Sequence, residues 1–383
     1  MKILPSGIIA VASTLSSLDN LVAEDQQDGP KVETVMNNGP NEKRFDLLLL
    51  PEGYTEEQQK DWDKMADALV AGFQKYSVMK EYQPLFNVHK IWAPSDKKWA
   101  KENTGKETAF SVIHNKKTDS FSCDDYEKVR EFRSKSKANL PCIVVNNATV
   151  RGLGNVGVVI SQNSVTSFFH ELGHGLGLSD EYTQNPWVGF NVCGSKDKIP
   201  WQELIDKKVK GIGVFKVTDN WFKGEEKDCL MNNASGELDY GILCTNGIIL
   251  YLREKVGVIE DSAKDSPVEV AKGQLSGIEL KLLSSRSYVP QVNAVYQTGT
   301  ADEMDALHDE LKGKKLAFDS FDKKYKKATV STKKNMATIT DKLPVGSHLI
   351  AVVAKDPNPA ILMDPDKVTY DQRIYRVDIT EKK

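Results

Sequence analysis

The sequence predicts a mixed α/β fold followed by a smaller all-β sandwich, and three observations carry the prediction. Apolar runs at 45–50 (Asp46 apart) and 141–145 are long enough for buried strands and too short for helices. The stretch from 55 to 73 has helical spacing instead, so strands and helices alternate along this part of the chain. After about Glu260 the texture changes to short β-type segments separated by turn residues. At 383 residues the chain is too long for one domain of usual size. The reading divides it into a leader over 1–30, an α/β domain over 31–262 and a β-sandwich over 263–383.

Each element follows from local chemistry. The leader opens with one positive charge, a short apolar segment and Ala10-Val11-Ala12, a pattern resembling a secretory signal peptide. It sets the expectation of a secreted protein, extracellular or periplasmic. The first apolar run meets Pro51, and Thr55-Glu56-Glu57-Gln58 then has the form of a capping box. Trp62, Met65, Leu69 and Phe73 follow on one helical face. Residues 86–92 alternate as a strand does, and 152–160 reads as one extended edge segment whose glycines let another backbone approach. Ile248, Ile249, Leu250 and Leu252 belong to a closing helix. Beyond Glu260, segments such as 277–282, 292–296 and 348–353 are among roughly seven short strands. The run Lys323-Lys324-Tyr325-Lys326-Lys327 reads as a hairpin edge defended by lysines.

Composition excludes some partners. Lys+Arg 51 against Asp+Glu 54 leaves a net charge of −3, so no domain-wide positive field exists to attract nucleic acid. No run approaches the length of a membrane span. Five cysteines are few for a disulfide scaffold, and all lie between Cys123 and Cys244.

The chemistry concentrates between Val165 and Tyr182. Val165, Phe169, Leu172 and Leu176 predict a helix with one buried stripe. His170 and His174 lie one turn apart on the same face and can offer two imidazole nitrogens to one tetrahedral Zn²⁺. Glu171 is then the general base toward a water that zinc brings to a pKa of about 7. Gly173, Gly175 and Gly177 each cost a helix about 1 kcal/mol relative to alanine, which a purely structural helix is not expected to carry. Gly177 falls where the helix must stop. Asp180, ten residues after His170, is the preferred third ligand, with Glu181 the other candidate.

This pattern, His-Glu-x-x-His-x-x-Gly-x-x-Asp, resembles the metzincin zinc proteases. The form His170-Glu171-Leu172-Gly173-His174, followed by Gly177-Leu178-Ser179-Asp180-Glu181-Tyr182, is similar to the IgA-peptidase-type metalloprotease family. The resemblance covers about residues 42–255. It implies a zinc endopeptidase with one catalytic ion, His170, His174 and Asp180 as ligands, Glu171 as base and a protein or peptide substrate. Met231 would be the methionine-turn residue flooring the metal. Two departures stand out: Glu52 occupies the place of an Asp before Gly53-Tyr54, and the spacing after the second His is one residue tighter than in many members. In the same view the C-terminal part resembles an immunoglobulin-like module.

Under this reading the 152–160 edge pairs with the substrate backbone, with Gly154, Gly157 and Val158 nearest to it. Tyr182 and Tyr240 are both candidates to stabilise an oxyanion. His89 and His114 read as structural or solvated. A disulfide among Cys193, Cys229 and Cys244 would tie the methionine-turn region, its pairing left open. The alternative is a binding or adhesion protein on the same scaffold with a structural zinc. Glu171 argues against it, because a structural site has no use for a base.

Overall fold

The computed structural model describes residues 31–383 apart from 103, 124–125, 155–156, 183–187, 234–237, 261–267, 272–277, 312–313, 315, 317–324, 342, 359–360, 362–369 and 381–383. The signal-like leader and the expected division at 262/263 lie outside the described residues. From Val32 onward the chain forms one compact unit.

The first half builds one sheet from β1 (Glu33–Met36), β2 (Phe45–Glu52), β3 (Phe86–Lys90), β6 (Leu140–Val145), β7 (Leu153–Gly154) and β8 (Val159–Gln162). Helices α1 (Gln59–Gly72), α2 (Ser77–Tyr82) and α3 (Glu127–Ser136), with the hairpin β4 (Val112–Asn115) and β5 (Ser120–Cys123), fill the connections. The sheet order is β1-β3-β2-β6-β8-β7, its inner pairs parallel and its two outer pairs antiparallel. Side chains alternate across β2. Leu47 and Leu49 enter the core shared with α1 and α2, while Leu48 and Leu50 enter the core under α3 and the hairpin. Both faces are therefore covered, which is why β2 is apolar at nearly every position. The expected capping box forms at Thr55 and Gln58, one short turn ahead of α1.

Residues 152–160 correct the sequence reading. They do not form one edge strand: β7 turns back to pair antiparallel with β8, and only β7 lies at the edge. Val158 is buried just before the inner strand, while Gly157 is exposed in the turn. The alternation of small and apolar residues is the same for a hairpin as for a single strand, so periodicity could not separate them.

Helix α4 (Val165–Gly175) follows β8, with Ser164 at its N-cap accepting from the Ser167 amide. It is buried all round from Ser167 to Gly175 rather than along one stripe, because other elements close over it. Further along, β9 (Val192–Cys193), β10 (Ile212–Thr218) and β11 (Trp221–Glu225) form a small antiparallel sheet that shares a core with the short α5 (Gln202–Asp206). The long α6 (Ile242–Val256) is the expected closing helix.

The C-terminal part contains β12 (Val268–Ala271), β13 (Glu279–Lys281), β14 (Gln291–Gly299), α7 (Ala301–Leu311), β15 (Lys326–Lys327), β16 (Val330–Lys333), β17 (Met336–Ile339), β18 (Gly346–Lys355) and β19 (Tyr370–Thr380). A five-stranded sheet, β12-β19-β18-β14-β15, buries Ile350, Val352 and Val377 with Leu280, Ala337 and Ile339 of the three-stranded sheet β13-β17-β16. Met304, Leu307 and Leu311 of α7 pack on Leu349 and Ile374. The all-β expectation is corrected by α7. Lys326 and Lys327 are exposed on the terminal strand β15, while Lys323 and Lys324 lie outside the described residues.

A buried ion pair fastens this part to the helices beside the first sheet. Arg253 of α6 donates through Nε to Asp356 at 2.7 Å, and Tyr82 of α2 donates its hydroxyl to the same carboxylate at 3.0 Å. Both charged side chains are fully removed from solvent.

Candidate metal centre

Three donor side chains converge on one point. The helical spacing places the imidazoles of His170 and His174 side by side, ring centres 4.9 Å apart and planes nearly perpendicular. Gly177, at φ +90°, ends the helix and turns the chain back. Asp180 Oδ1 then stands 3.1 Å from His170 Nε2 and 3.4 Å from His174 Nε2. The donor atoms of all three residues lie within 4.8 Å of one another.

Main-chain carbonyls orient both rings. His170 Nδ1 donates to the Leu230 carbonyl and His174 Nδ1 to the Leu178 carbonyl, each at 2.9 Å. A carbonyl only accepts, so each ring carries its proton on Nδ1 and turns Nε2 toward Asp180. That donor set, two neutral imidazoles and one carboxylate, fits a tetrahedral divalent ion with a fourth position open. The electrostatics agree. Burial disfavours a charged His174, yet Asp180 and Glu171 outweigh it and raise its pKa to about 9, so the surroundings favour a cation. Burial would likewise raise Asp180, but the two histidines beside it hold its carboxyl well below the ordinary range.

Asp180 and Glu181 take opposite directions. The Glu181 carboxylate is buried away from the imidazoles, accepting from Asn191 at 2.9 Å and from Cys244 at 3.5 Å. Asn191 also accepts from the Ser179 amide and donates to the Ser179 carbonyl. It clamps the loop that presents Asp180. No short-range pattern marks Asn191, because its partners lie ten and twelve residues earlier.

Glu171 is buried, and that burial raises its pKa against the opposing pull of His174 and His170. Its place depends on the hairpin. A Cβ on Gly152 would overlap the Glu171 carboxylate, and one on Gly154 would sit 2.5 Å from the Glu171 carbonyl oxygen and 2.7 Å from His174 Cβ. Gly152 thus leaves room for the Glu171 side chain, and Gly154 for the backbone of α4. Met231 lies under the same helix: a Cβ on Gly173 would sit 2.6 Å from Met231 Sδ. The Met231 carbonyl accepts from the Glu181 amide at 3.1 Å.

The two tyrosine candidates separate. Tyr240 is buried and donates its hydroxyl to the Phe169 carbonyl, so it braces α4. Tyr182 is 45% exposed, its ring 6.2 Å from that of His170. His89 pairs with Asp46 and Thr34, and His114 with Asp119, both away from the three donors. Glu52 is also structural, accepting from the amides of Phe110 and Val112 at 2.6 and 2.8 Å.

No curated protein matches the chain. Residues 34–209 match the model of the family described as IgA Peptidase M64, a span that includes His170, Glu171, His174 and Asp180 and ends before Met231. The match covers residues 34–209 alone, and over that span it implies an enzyme that hydrolyses peptide bonds.

Proposed function

We propose that the protein is a secreted zinc metalloendopeptidase of metzincin type. The convergence of His170, His174 and Asp180 beside a buried glutamate carries the reading. Zn²⁺, when bound, supplies a Lewis acid that polarises the scissile carbonyl and acidifies the attacking water. Glu171 takes the proton from that water and returns it to the leaving amine, a role suited to a carboxyl whose pKa burial raises. Met231 is the apolar floor of the site, and Tyr182 is the hydroxyl available to the developing oxyanion. The edge strand β7, with Gly154, aligns an extended substrate by strand addition, and Gly157 flanks it in the exposed turn. Export follows from the leader pattern.

The test is hydrolysis of an unfolded protein or peptide library by the zinc-loaded wild type and by Glu171→Gln. The variant should retain metal and lose activity by about 10²–10⁴-fold. Equal activity, or none in either at full zinc occupancy, would overturn the reading.

A further inference from the structure

Cys229 and Cys244 are both buried, the first just before Met231 and the second in the first turn of α6. Their sulfurs lie 3.7 Å apart, in van der Waals contact. Closing to the roughly 2.05 Å of a disulfide asks each side chain to move by less than about 1 Å. Cys229 also stands next to Leu230, whose carbonyl orients His170, and its own carbonyl accepts from the amides of Asn232 and Asn233. We propose that Cys229 and Cys244 form an intramolecular disulfide that fastens the turn carrying Leu230 and Met231 to α6.

Another use of the same atoms is weaker. Glu181, Cys229 and Cys244 could together hold a metal ion. The Glu181 carboxylate, however, is held by Asn191, and the Lys223 ammonium stands 3.7 Å from its other oxygen, repelling a second cation. The disulfide needs no further ligand.

Bridge formation is a two-electron oxidation by thiol–disulfide exchange. One thiolate attacks a low-molecular-weight or protein disulfide and releases one of its thiolates; the second then attacks the protein sulfur of the mixed disulfide and expels the other. In balance, two S–H bonds are lost and one S–S bond forms. Two protons leave, and the oxidant's S–S bond becomes two thiols. Burial pushes the Cys244 thiol far up, which disfavours the attacking thiolate in the folded protein. The exchange therefore belongs to the folding chain, in an oxidising compartment.

The full chain, refolded from the reduced and denatured state in a glutathione redox buffer, is alkylated under denaturing conditions without reductant and mapped by mass spectrometry. Two of its five cysteines should resist alkylation and be recovered as a Cys229–Cys244 cross-linked peptide. The oxidised form should unfold about 5 °C above the reduced one. In the C229A/C244A double variant every remaining cysteine should alkylate, and the redox dependence of the midpoint should vanish. Five alkylated thiols, a bridge to any other cysteine, or protection that disappears on adding a chelator would each overturn the proposal. The thiol count is read without any peptidase activity, so it stands or falls apart from the assignment of function.

Discussion

Gly152 shows how much of the site rests on an atom that is not there. A methyl group at this position would meet the Glu171 side chain first and displace its carboxylate. Gly152→Ala should therefore keep its zinc, measured by elemental analysis, and lose about 10²-fold in kcat, the usual effect of misplacing a catalytic group by about 1 Å. A second pair of variants separates neighbours in sequence. Asp180→Ala should lose zinc on dialysis, because its carboxylate is the one beside both Nε2 atoms. Glu181→Ala should retain zinc but unfold earlier, because Asn191 and Lys223 lose their buried partner. Metal stoichiometries in the opposite order would reverse the assignment of the third donor. At this scale the sequence was legible where donors repeat at short spacing, as with His170 and His174 side by side on one helix. It was not legible for Gly152, Asn191 and the two carbonyls at Leu178 and Leu230, whose meaning depends on which distant segment folds against them. Even for Asp180, spacing left Glu181 as a rival until the turn at Gly177 set their directions apart.

Helix α4 illustrates the same division among elements. Its existence follows from apolar spacing, but its burial on every side comes from the hairpin, α1 and the chain leading into α6. The Tyr240 hydroxyl is one of the groups that hold it, through the Phe169 carbonyl. Tyr240→Phe should cost about 1–3 kcal/mol in urea unfolding of the metal-free protein, since a buried carbonyl loses its side-chain donor. A change below the error of that measurement would mean that water or a backbone shift replaces the bond. Helix α7, absent from the sequence reading, had a signal nonetheless. Thr300 and Glu303 form reciprocal capping hydrogen bonds, and Met304, Leu307 and Leu311 recur at helical spacing. The neighbouring β-type segments masked that short period. The hairpin of β7 and β8 was obscured for a different reason, since a turn within glycine-rich chain leaves the alternation on both sides unchanged.

Across the whole molecule, the C-terminal part is joined to the first through charged groups rather than through apolar surface alone. Glu81 of α2 accepts from the Ser285 hydroxyl at 2.6 Å and the Ser287 amide at 2.7 Å. Burial alone would raise its carboxyl, but these donors hold it below the ordinary value of 4.5. A carboxyl lowered in the folded state adds stability that is complete above its unfolded pKa and is lost as pH falls through the folded one. The wild type should therefore exceed Glu81→Gln in urea midpoint at pH 7, and the gap should close on acidification below about 4.5. A gap that persists at still lower pH would contradict this origin. Asp356→Ala should cost more, about 3–5 kcal/mol, because it leaves the Arg253 charge buried without a counter-charge. That ion pair bears on a hazard particular to peptidases, the clipping of one copy by another. A cut that releases β18 and the segment after it carries Asp356 away, so its product is a failing chain and not a trimmed, still active fragment. Self-digestion of this protein would thus read as a fall in total activity in step with loss of the intact band, with no smaller active species accumulating on a gel.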